Sequence, residues 1–204
     1  MLEKLIVFVE EPSMEAALQT LLPKLLGDIE FQIIKFQCKG DLLKRAPDRL
    51  KGYASWLPDN YRILVLVDRD DDECVTLKAT LERMAAQAGL LTKTAARNGN
   101  PFQVVNRLAI EELEAWFFGD WLAVRAAYPR TSATVPQKAM FRDPDAIAGG
   151  TWEAMERVLK KAGYFTTGLR KIELARSVSA NMDVCRNTSR SFQAFTQAVT
   201  ASMA

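Results

Sequence analysis

The clearest structural signal in the sequence is Ile63-Leu64-Val65-Leu66-Val67-Asp68-Arg69-Asp70-Asp71-Asp72. An apolar run without a polar break is followed directly by a crowd of aspartates. Such a run predicts a strand that is buried on both faces of a parallel sheet. Open α/β sheets bind ligands beyond the carboxyl ends of their strands, which is where these carboxylates lie. The segment therefore predicts both an α/β fold and a functional site at one edge of its sheet.

Apolar runs and helical patterns alternate on either side of this strand. Residues 5–9 form a further apolar run, residues 31–36 are a candidate second strand, residues 90–95 are a candidate fourth strand, and residues 102–110 look extended. Helical spacing follows Ser13 and recurs over residues 72–88 and 111–128, and Pro23 predicts an end or a kink in the first helix. Strands that alternate with helices predict a mainly parallel sheet flanked by helices.

The pattern changes after residue 128. Residues 129–151 are rich in Pro, Ser, Thr, Gly and Asp, which predicts a surface connection. Residues 153–162, 171–178 and 190–201 have helical patterns. We therefore expect an α/β domain over residues 1–128, followed by a connecting loop and a C-terminal helical extension over residues 129–204 that packs on the same core.

The composition excludes several classes of chemistry. The 204 residues include no histidine, which rules out Ser-His-Asp and Cys-His catalysis, His-ligated zinc and an imidazole general base. No apolar run approaches the roughly 20 residues that span a bilayer, and the N-terminus lacks a secretory signal pattern. The three cysteines are scattered singly, without the spacing of a zinc site or a disulfide framework. These features predict a cytoplasmic protein with reduced thiols and no membrane contact.

Acidic residues follow two strands that are often neighbours in such a sheet. Glu10 ends the first apolar run, and Asp68 and Asp70 follow the third. Crowded carboxylates repel one another, and a divalent cation with oxygen ligands relieves this repulsion. We predict a site for Mg²⁺, with Mn²⁺ as an alternative, that is formed by Glu10, Asp68 and Asp70 and assisted by Asp72. For Asp71, Asp72 and Glu73 the competing interpretation is that they stabilise the N-terminus of the next helix.

A second group of acids, Glu111, Glu112 and Glu114, stands at the entry to another predicted helix. Glu114 is the preferred candidate for a further catalytic carboxylate, either as a metal ligand or as a base that orients water. Helix-terminal charge is again the alternative. Three basic residues, Lys78, Arg97 and Lys171, are candidate contacts for the phosphates of a nucleic acid, although solvated surface charge is the favoured interpretation for most of the basic residues.

Two segments resemble the signatures of the TOPRIM domain, which is shared by topoisomerases, primases, RecR-type repair proteins and OLD-family nucleases: Val7-Phe8-Val9-Glu10 and Val65-Leu66-Val67-Asp68-Arg69-Asp70. The resemblance implies a TOPRIM/Rossmann-like fold in which a Glu and an Asp-x-Asp motif bind Mg²⁺. No tyrosine is marked by its surroundings as the nucleophile that a strand-rejoining member would need.

A finer resemblance is to DUF4276, a bacterial family of small TOPRIM-like proteins that is often encoded beside an ABC-type ATPase. Asp72, Cys74 and Lys78 are similar to that family, as are segments 111–120 and 191–195. Its first motif tends to read Glu-Gly-x-Thr-Glu, whereas this chain has Glu10-Glu11-Pro12-Ser13-Met14-Glu15. This departure leaves open whether Glu10 or Glu11 faces the metal.

Three functions remain in competition. The first is a Mg²⁺-dependent nuclease that cleaves DNA or RNA, with a role in bacterial anti-phage defence beside an ABC-type ATPase, as the resemblance implies. The second is a non-catalytic module that docks on an ATPase or a nucleic acid. The third is a phosphotransfer protein, which ranks last because the DxDx(T/V) motif that it needs is missing. The choice of nucleic acid, the number of metal ions and the existence of a homo-oligomer stay open.

Overall fold

The structure is a computed structural model that describes residues 1–96 and 100–204. Its described residues form a four-stranded parallel sheet in the order β2-β1-β3-β4. The strands are β1 (Lys4–Val9), β2 (Glu30–Lys35), β3 (Tyr61–Asp68) and β4 (Val104–Ala109). The helices are α1 (Pro12–Leu26), α2 (Lys39–Ala54), α3 (Cys74–Gln87), α4 (Glu114–Gly119), α5 (Trp121–Ala127), α6 (Thr151–Lys161), α7 (Lys171–Asn181) and α8 (Arg190–Met203). The predicted α/β class with a parallel sheet and a C-terminal helical extension is confirmed.

Helices cover both faces of the sheet because successive side chains of a strand point to opposite sides. Val7 faces a core that includes Leu18 of α1, Leu174 of α7 and Phe195 of α8. Phe8 faces a second core formed with α2 and α3, which includes Leu42 and Leu81. The two central strands, β1 and β3, are therefore almost completely buried, as their continuous apolar runs predict.

Residues 90–95 do not form the predicted fourth strand. The chain turns there, with the amides of Ala95 and Ala96 donating to the carbonyl oxygen of Thr92, and Thr92 meets β4 in a single bridge with Val104. The place beside β3 is taken by β4, which lies within the segment that was predicted only to be extended. The proposed turn at residues 98–101 lies partly outside the described residues.

Two helix predictions need correction. Helix α1 continues through Pro23 to Leu26. The helix predicted over residues 111–128 is divided into α4 and α5 at Asp120, whose side chain accepts hydrogen bonds from the backbone of Ala123 and Asp183 and pairs with Arg186. A carboxylate held by a distant part of the chain therefore interrupts a helical pattern that is locally continuous.

Helices α1 and α7 run side by side in the same direction. The Lys24 ammonium, near the end of α1, donates hydrogen bonds of 2.8 to 2.9 Å to the carbonyl oxygens of Ser179, Ala180 and Met182 at the end of α7. It thereby satisfies carbonyl groups that lack partners within the helix. The other ends of both helices lie at the carboxyl edge of the sheet. Among the described residues, no helix combines the length and apolar character required to cross a membrane.

Candidate active site

Glu10 and Asp68 meet at the carboxyl edge of the sheet. Strands β1 and β3 are adjacent and parallel, with Val9 paired to Leu66, so the residues that end them emerge together. The Oε1 atom of Glu10 accepts a hydrogen bond of 2.6 Å from the backbone nitrogen of Asp68. Each residue is only 4% exposed. The structure thus brings together two acids that are 58 residues apart in the sequence.

Asp68 has an incompletely satisfied carboxylate. Its Oδ1 atom is buried and has no hydrogen-bond partner among the residues that the structure describes. Burial, followed by the charges of Glu10, Glu11 and Glu114, raises the pKa of Asp68 well above its ordinary value. A buried ionised carboxylate without a partner is unfavourable, so this group must either keep its proton or receive a cation.

Glu10 and Glu114 are also shifted towards neutral pH. Burial raises the pKa of Glu10 to about 7, although the Asp68 amide lowers it, and the charge of Asp70 raises it further. Burial likewise raises the pKa of Glu114 to about 7, opposed by the charge of Lys171. Both carboxylate oxygens of Glu114 are buried and lack hydrogen-bond partners within the described part of the chain. Three acids near this edge therefore titrate abnormally, as carboxylates in functional sites often do.

Lys39 holds the two aspartates that follow Asp68. Its ammonium lies 2.6 Å from Oδ2 of Asp70 and 2.7 Å from Oδ2 of Asp72. It also donates to the carbonyl oxygens of Asp68 and Arg69, at 3.1 and 3.0 Å. Asp70 has a φ of 49°, a left-handed conformation that Asp tolerates better than most residues. Asp70 and Asp72 are thus ion-paired, and both are more exposed than Asp68.

Lys171, the first residue of α7, brings a second cation to the acids. Burial alone would lower the pKa of Lys171, but the charges of Glu114, Glu11 and Glu112 raise it overall. Its ammonium also lies 5.2 Å from the centre of the Trp152 ring. The structure therefore places this candidate phosphate contact beside the acidic cluster.

A cavity of about 240 Å³ opens at the carboxyl edge beside these side chains. Helices α1, α2 and α7 all begin here, and the positive ends of helix dipoles favour negative charge. The cavity is small and polar and is lined by five acids, whereas one larger cavity has only Asp143 and Asp145 and another has no acid in its lining. The residues that line it are Glu10, Glu11, Gln37, Cys38, Lys39, Gly40, Asp68, Asp70, Glu112 and Lys171.

A comparison with known protein families matches residues 9–200 to DUF4276, described as a domain of unknown function. The chain belongs to the DUF4276 family. No curated protein and no solved structure matches it. The match includes every residue of the cavity, so this acidic edge lies within the region that matches DUF4276.

The remaining acids of this DUF4276 protein have other partners. Glu112 accepts hydrogen bonds from the Thr151 hydroxyl and the Trp152 amide, and thereby caps α6. Glu111 pairs with Arg69 at 2.6 Å. Glu11 accepts a hydrogen bond from the hydroxyl of Ser13, two residues along the chain. Glu10 and Glu11 both line the cavity, and Glu10 is the one that is buried against Asp68.

Lys78, another candidate phosphate contact, is not brought to this cavity. The Lys78 ammonium lies 2.8 Å from Glu82 and donates to the carbonyl oxygen of Asn106. It lines a different cavity with Arg107. Arg97 lies outside the described residues.

Sequence reasoning missed Lys39. It is the first residue of α2 and follows closely on the carboxyl end of β2. A signal was available, because any residue at a strand-to-helix turn of a parallel sheet reaches the ligand-binding edge. The indistinct pattern of residues 38–59 concealed where that helix begins.

The donor set fits a hard divalent cation in part. All the acidic oxygens are of the type that Mg²⁺ prefers, and the unpartnered Oδ1 atom of Asp68 is available to a ligand. Within residues 1–96 and 100–204, however, no group of three or more Asp, Glu or Cys side chains is already arranged to hold a metal ion. The Oδ2 atoms of Asp70 and Asp72 are already ion-paired with Lys39. Glu10 and Asp68 are therefore the best-fitting ligands.

Proposed function

We propose that this protein is a divalent-cation-dependent nuclease. The observation that supports this most strongly is the buried, unpartnered Oδ1 atom of Asp68, which lies beside Glu10 in a cavity that also contains two lysines. An ionised carboxylate in this position is energetically unfavourable unless a cation binds to it. Phosphodiesters suit a cavity that combines such a cation position with lysine ammonium groups, because their negative charge is shared among several oxygens.

In this proposal Glu10 and Asp68 hold Mg²⁺ or Mn²⁺. When bound, the cation supplies electrostatic stabilisation to the phosphoryl oxygens and to the leaving oxygen. Lys171 binds a substrate phosphate as a point charge. Glu114 does not line the cavity, but its charge shifts the pKa values of both Asp68 and Lys171, so we assign it an assisting role. Hydrolysis breaks the bond from phosphorus to one sugar oxygen, and water supplies the new oxygen.

The test is cleavage of plasmid DNA, single-stranded DNA and transfer RNA by the purified chain with Mg²⁺ or Mn²⁺. We expect Asp68→Asn to reduce cleavage at least about 100-fold, which corresponds to the loss of a group that stabilises the transition state. Asp71→Asn is the matched control, because Asp71 is an exposed neighbour that does not line the cavity. Equal cleavage by both variants, or no cleavage of any substrate, would contradict the proposal.

A non-catalytic assembly module is the second candidate. It is favoured by the pairing of Lys39 with Asp70 and Asp72, because this lysine compensates part of the acidic charge at the edge. The family resemblance suggests an ABC-type ATPase as the partner in either case. Co-purification with the neighbouring ATPase, retained in Asp68→Asn while no nuclease activity is measured for the complex, would favour this second function.

We also propose that the protein works in the cytoplasm, in bacterial anti-phage defence. All three cysteines are free and exposed, which suits a reducing compartment. Protection of cells against phage infection, lost in Asp68→Asn, is the matching cellular measurement.

A further inference from the structure

We infer that the Lys39 ammonium takes the place of a second metal ion, so that the site binds a single divalent cation. This inference rests on the proposed function, because it concerns the number of cations at the same edge. It divides the acids into two sets. Glu10 and Asp68 bind the ion, whereas Asp70 and Asp72 pair with Lys39.

The surroundings of Lys39 resemble those of a bound cation. Four oxygens lie 2.6 to 3.1 Å from its nitrogen: Oδ2 of Asp70, Oδ2 of Asp72, and the carbonyl oxygens of Asp68 and Arg69. Carboxylate and backbone carbonyl oxygens are also the ligands that hard divalent cations select. The Lys39 side chain is 15% exposed, so its positive charge is largely enclosed by these acceptors.

The loop that supplies these oxygens is fixed by its own backbone. The amide of Asp70 donates to the carbonyl oxygen of Glu111 at 2.9 Å, and the amide of Asp72 donates to that of Arg69 at 3.1 Å. On the opposite side, the amide of Phe36 donates to the carbonyl oxygen of Val9, which anchors the approach to α2. Both sides are thus held in place, and Lys39 spans a preformed gap.

Among the described residues, no lysine or arginine pairs with the neighbouring carboxylate of Asp68. Asp68 is 4% exposed and its Oδ1 atom has no partner in the part of the chain that the structure describes, although Lys39 contacts the carbonyl oxygen of the same residue. Lys171 influences these acids through its charge but forms no ion pair within 4.0 Å in the described segments. One cation position at this edge is therefore filled by the chain, and one acidic position is left for a ligand.

The experiment measures how many Mn²⁺ ions bind per chain, by titration calorimetry and by electron paramagnetic resonance of free Mn²⁺. Wild type should bind one ion. Lys39→Met keeps the length of the side chain and removes its charge, which leaves two carboxylates and two carbonyl groups facing an empty position, so this variant should bind two ions. Lys44→Met is the matched control on the same helix, because Lys44 is exposed, and it should bind one ion.

Thermal unfolding supplies a second measurement. Mn²⁺ should raise the melting temperature of Lys39→Met more than that of wild type, because ions that bind only the folded state stabilise it. Two ions on wild type, or one ion on Lys39→Met, would overturn the inference and leave the proposed function standing. No Mn²⁺ on any variant would overturn both.

A separate pair of variants covers the case in which Lys39→Met does not fold. Asp68→Asn should weaken the binding of the single ion to otherwise wild-type protein at least tenfold. Asp72→Asn should change it by less than about threefold, since its carboxylate is assigned to Lys39. Equal weakening by the two substitutions would mean that the Asp72 carboxylate holds the ion, and the inference would be wrong.

Discussion

The Oε1 atom of Glu10 lies 2.6 Å from the backbone nitrogen of Asp68, and this contact joins the ends of the two central strands. A carboxylate that accepts a backbone hydrogen bond is usually stabilised in its charged form. Here burial outweighs the hydrogen bond, and the pKa of Glu10 rises to about 7. The contact therefore positions an acid that changes its charge near neutral pH.

Stability of the metal-free protein should depend on the protonation of Glu10. Its pKa is about 7 when folded and 4.5 ordinarily, so between these values the folded state holds a proton that the unfolded state has lost. This stabilisation is present below pH 4.5 and is lost as the pH rises through 7. Its size is about 3 kcal/mol, because each pKa unit corresponds to roughly 1.36 kcal/mol. Glu10→Gln should therefore lose less unfolding free energy than wild type between pH 5 and pH 8, measured by urea denaturation.

Asp28→Asn is the control for that measurement, because Asp28 is exposed and is distant in the sequence from the acids at the carboxyl edge of the sheet. It should follow the wild-type pH profile. A Glu10→Gln profile that also coincides with that of wild type would show that Glu10 is not protonated near neutral pH.

Binding of Mg²⁺ should be tighter at higher pH. The pKa values of Glu10 and Asp68 are both raised, so a cation must displace protons from them at low pH. Each displaced proton weakens binding about tenfold for every pH unit below the pKa. Calorimetry in buffers of different ionisation enthalpy would detect more proton release at pH 6 than at pH 8, because the pKa of Glu10 is about 7. Binding that does not vary with pH would argue against these two acids as ligands.

Lys171→Met should weaken nucleic-acid binding about tenfold, because it removes the proposed phosphate contact from the cavity. The measurement is fluorescence polarisation of a labelled oligonucleotide at fixed salt, with Ca²⁺ replacing Mg²⁺ to limit cleavage. Arg176→Met is the control on the same helix, since Arg176 is exposed and does not line the cavity. If the two variants bind equally well, Lys171 does not contact the substrate.

Arg186→Met should destabilise the fold by about 2 kcal/mol without affecting Mn²⁺ stoichiometry. Arg186 forms two hydrogen bonds of 2.8 Å with Asp120, whose side chain is fully buried, so its removal leaves a buried carboxylate without its cation. The figure is below that of fully buried pairs because the Arg186 side chain is 40% exposed. Urea denaturation measures the loss, and Arg190→Met is a suitable comparison at another exposed arginine. An unfolding free energy equal to that of wild type would show that the pair of Arg186 and Asp120 does not stabilise the fold.

Local sequence was sufficient to predict the centre of the fold. The runs that became β1 and β3 are apolar throughout because both faces of these strands are covered. Parallel pairing then places Glu10 and Asp68 at one edge, whichever helices connect the strands. The same reasoning failed at residues 90–95, where Leu90 and Leu91 lead into a turn over residues 93–95 rather than a strand.

The electrostatic partners of the acids could not be predicted in this way. Lys39 and Lys171 are 29 and 103 positions from Asp68, and nothing in the intervening sequence specifies how closely they approach it. The break between α4 and α5 has the same origin, because Asp120 is held by Arg186 across 66 residues. Secondary structure follows from nearby residues, whereas charge compensation depends on the assembled tertiary structure.

The contact between Lys24 and the end of α7 constrains the length of the helices that lead to the cavity. Lys24 anchors α7 at Ser179, Ala180 and Met182, and Lys171 stands at its other end. Inserting one residue between these points would rotate Lys171 by about 100° around the helix axis and carry its ammonium away from the acids. We therefore expect natural relatives to differ in this part of α7 by substitution and not by insertion or deletion, because the number of residues between the two ends sets the position of Lys171.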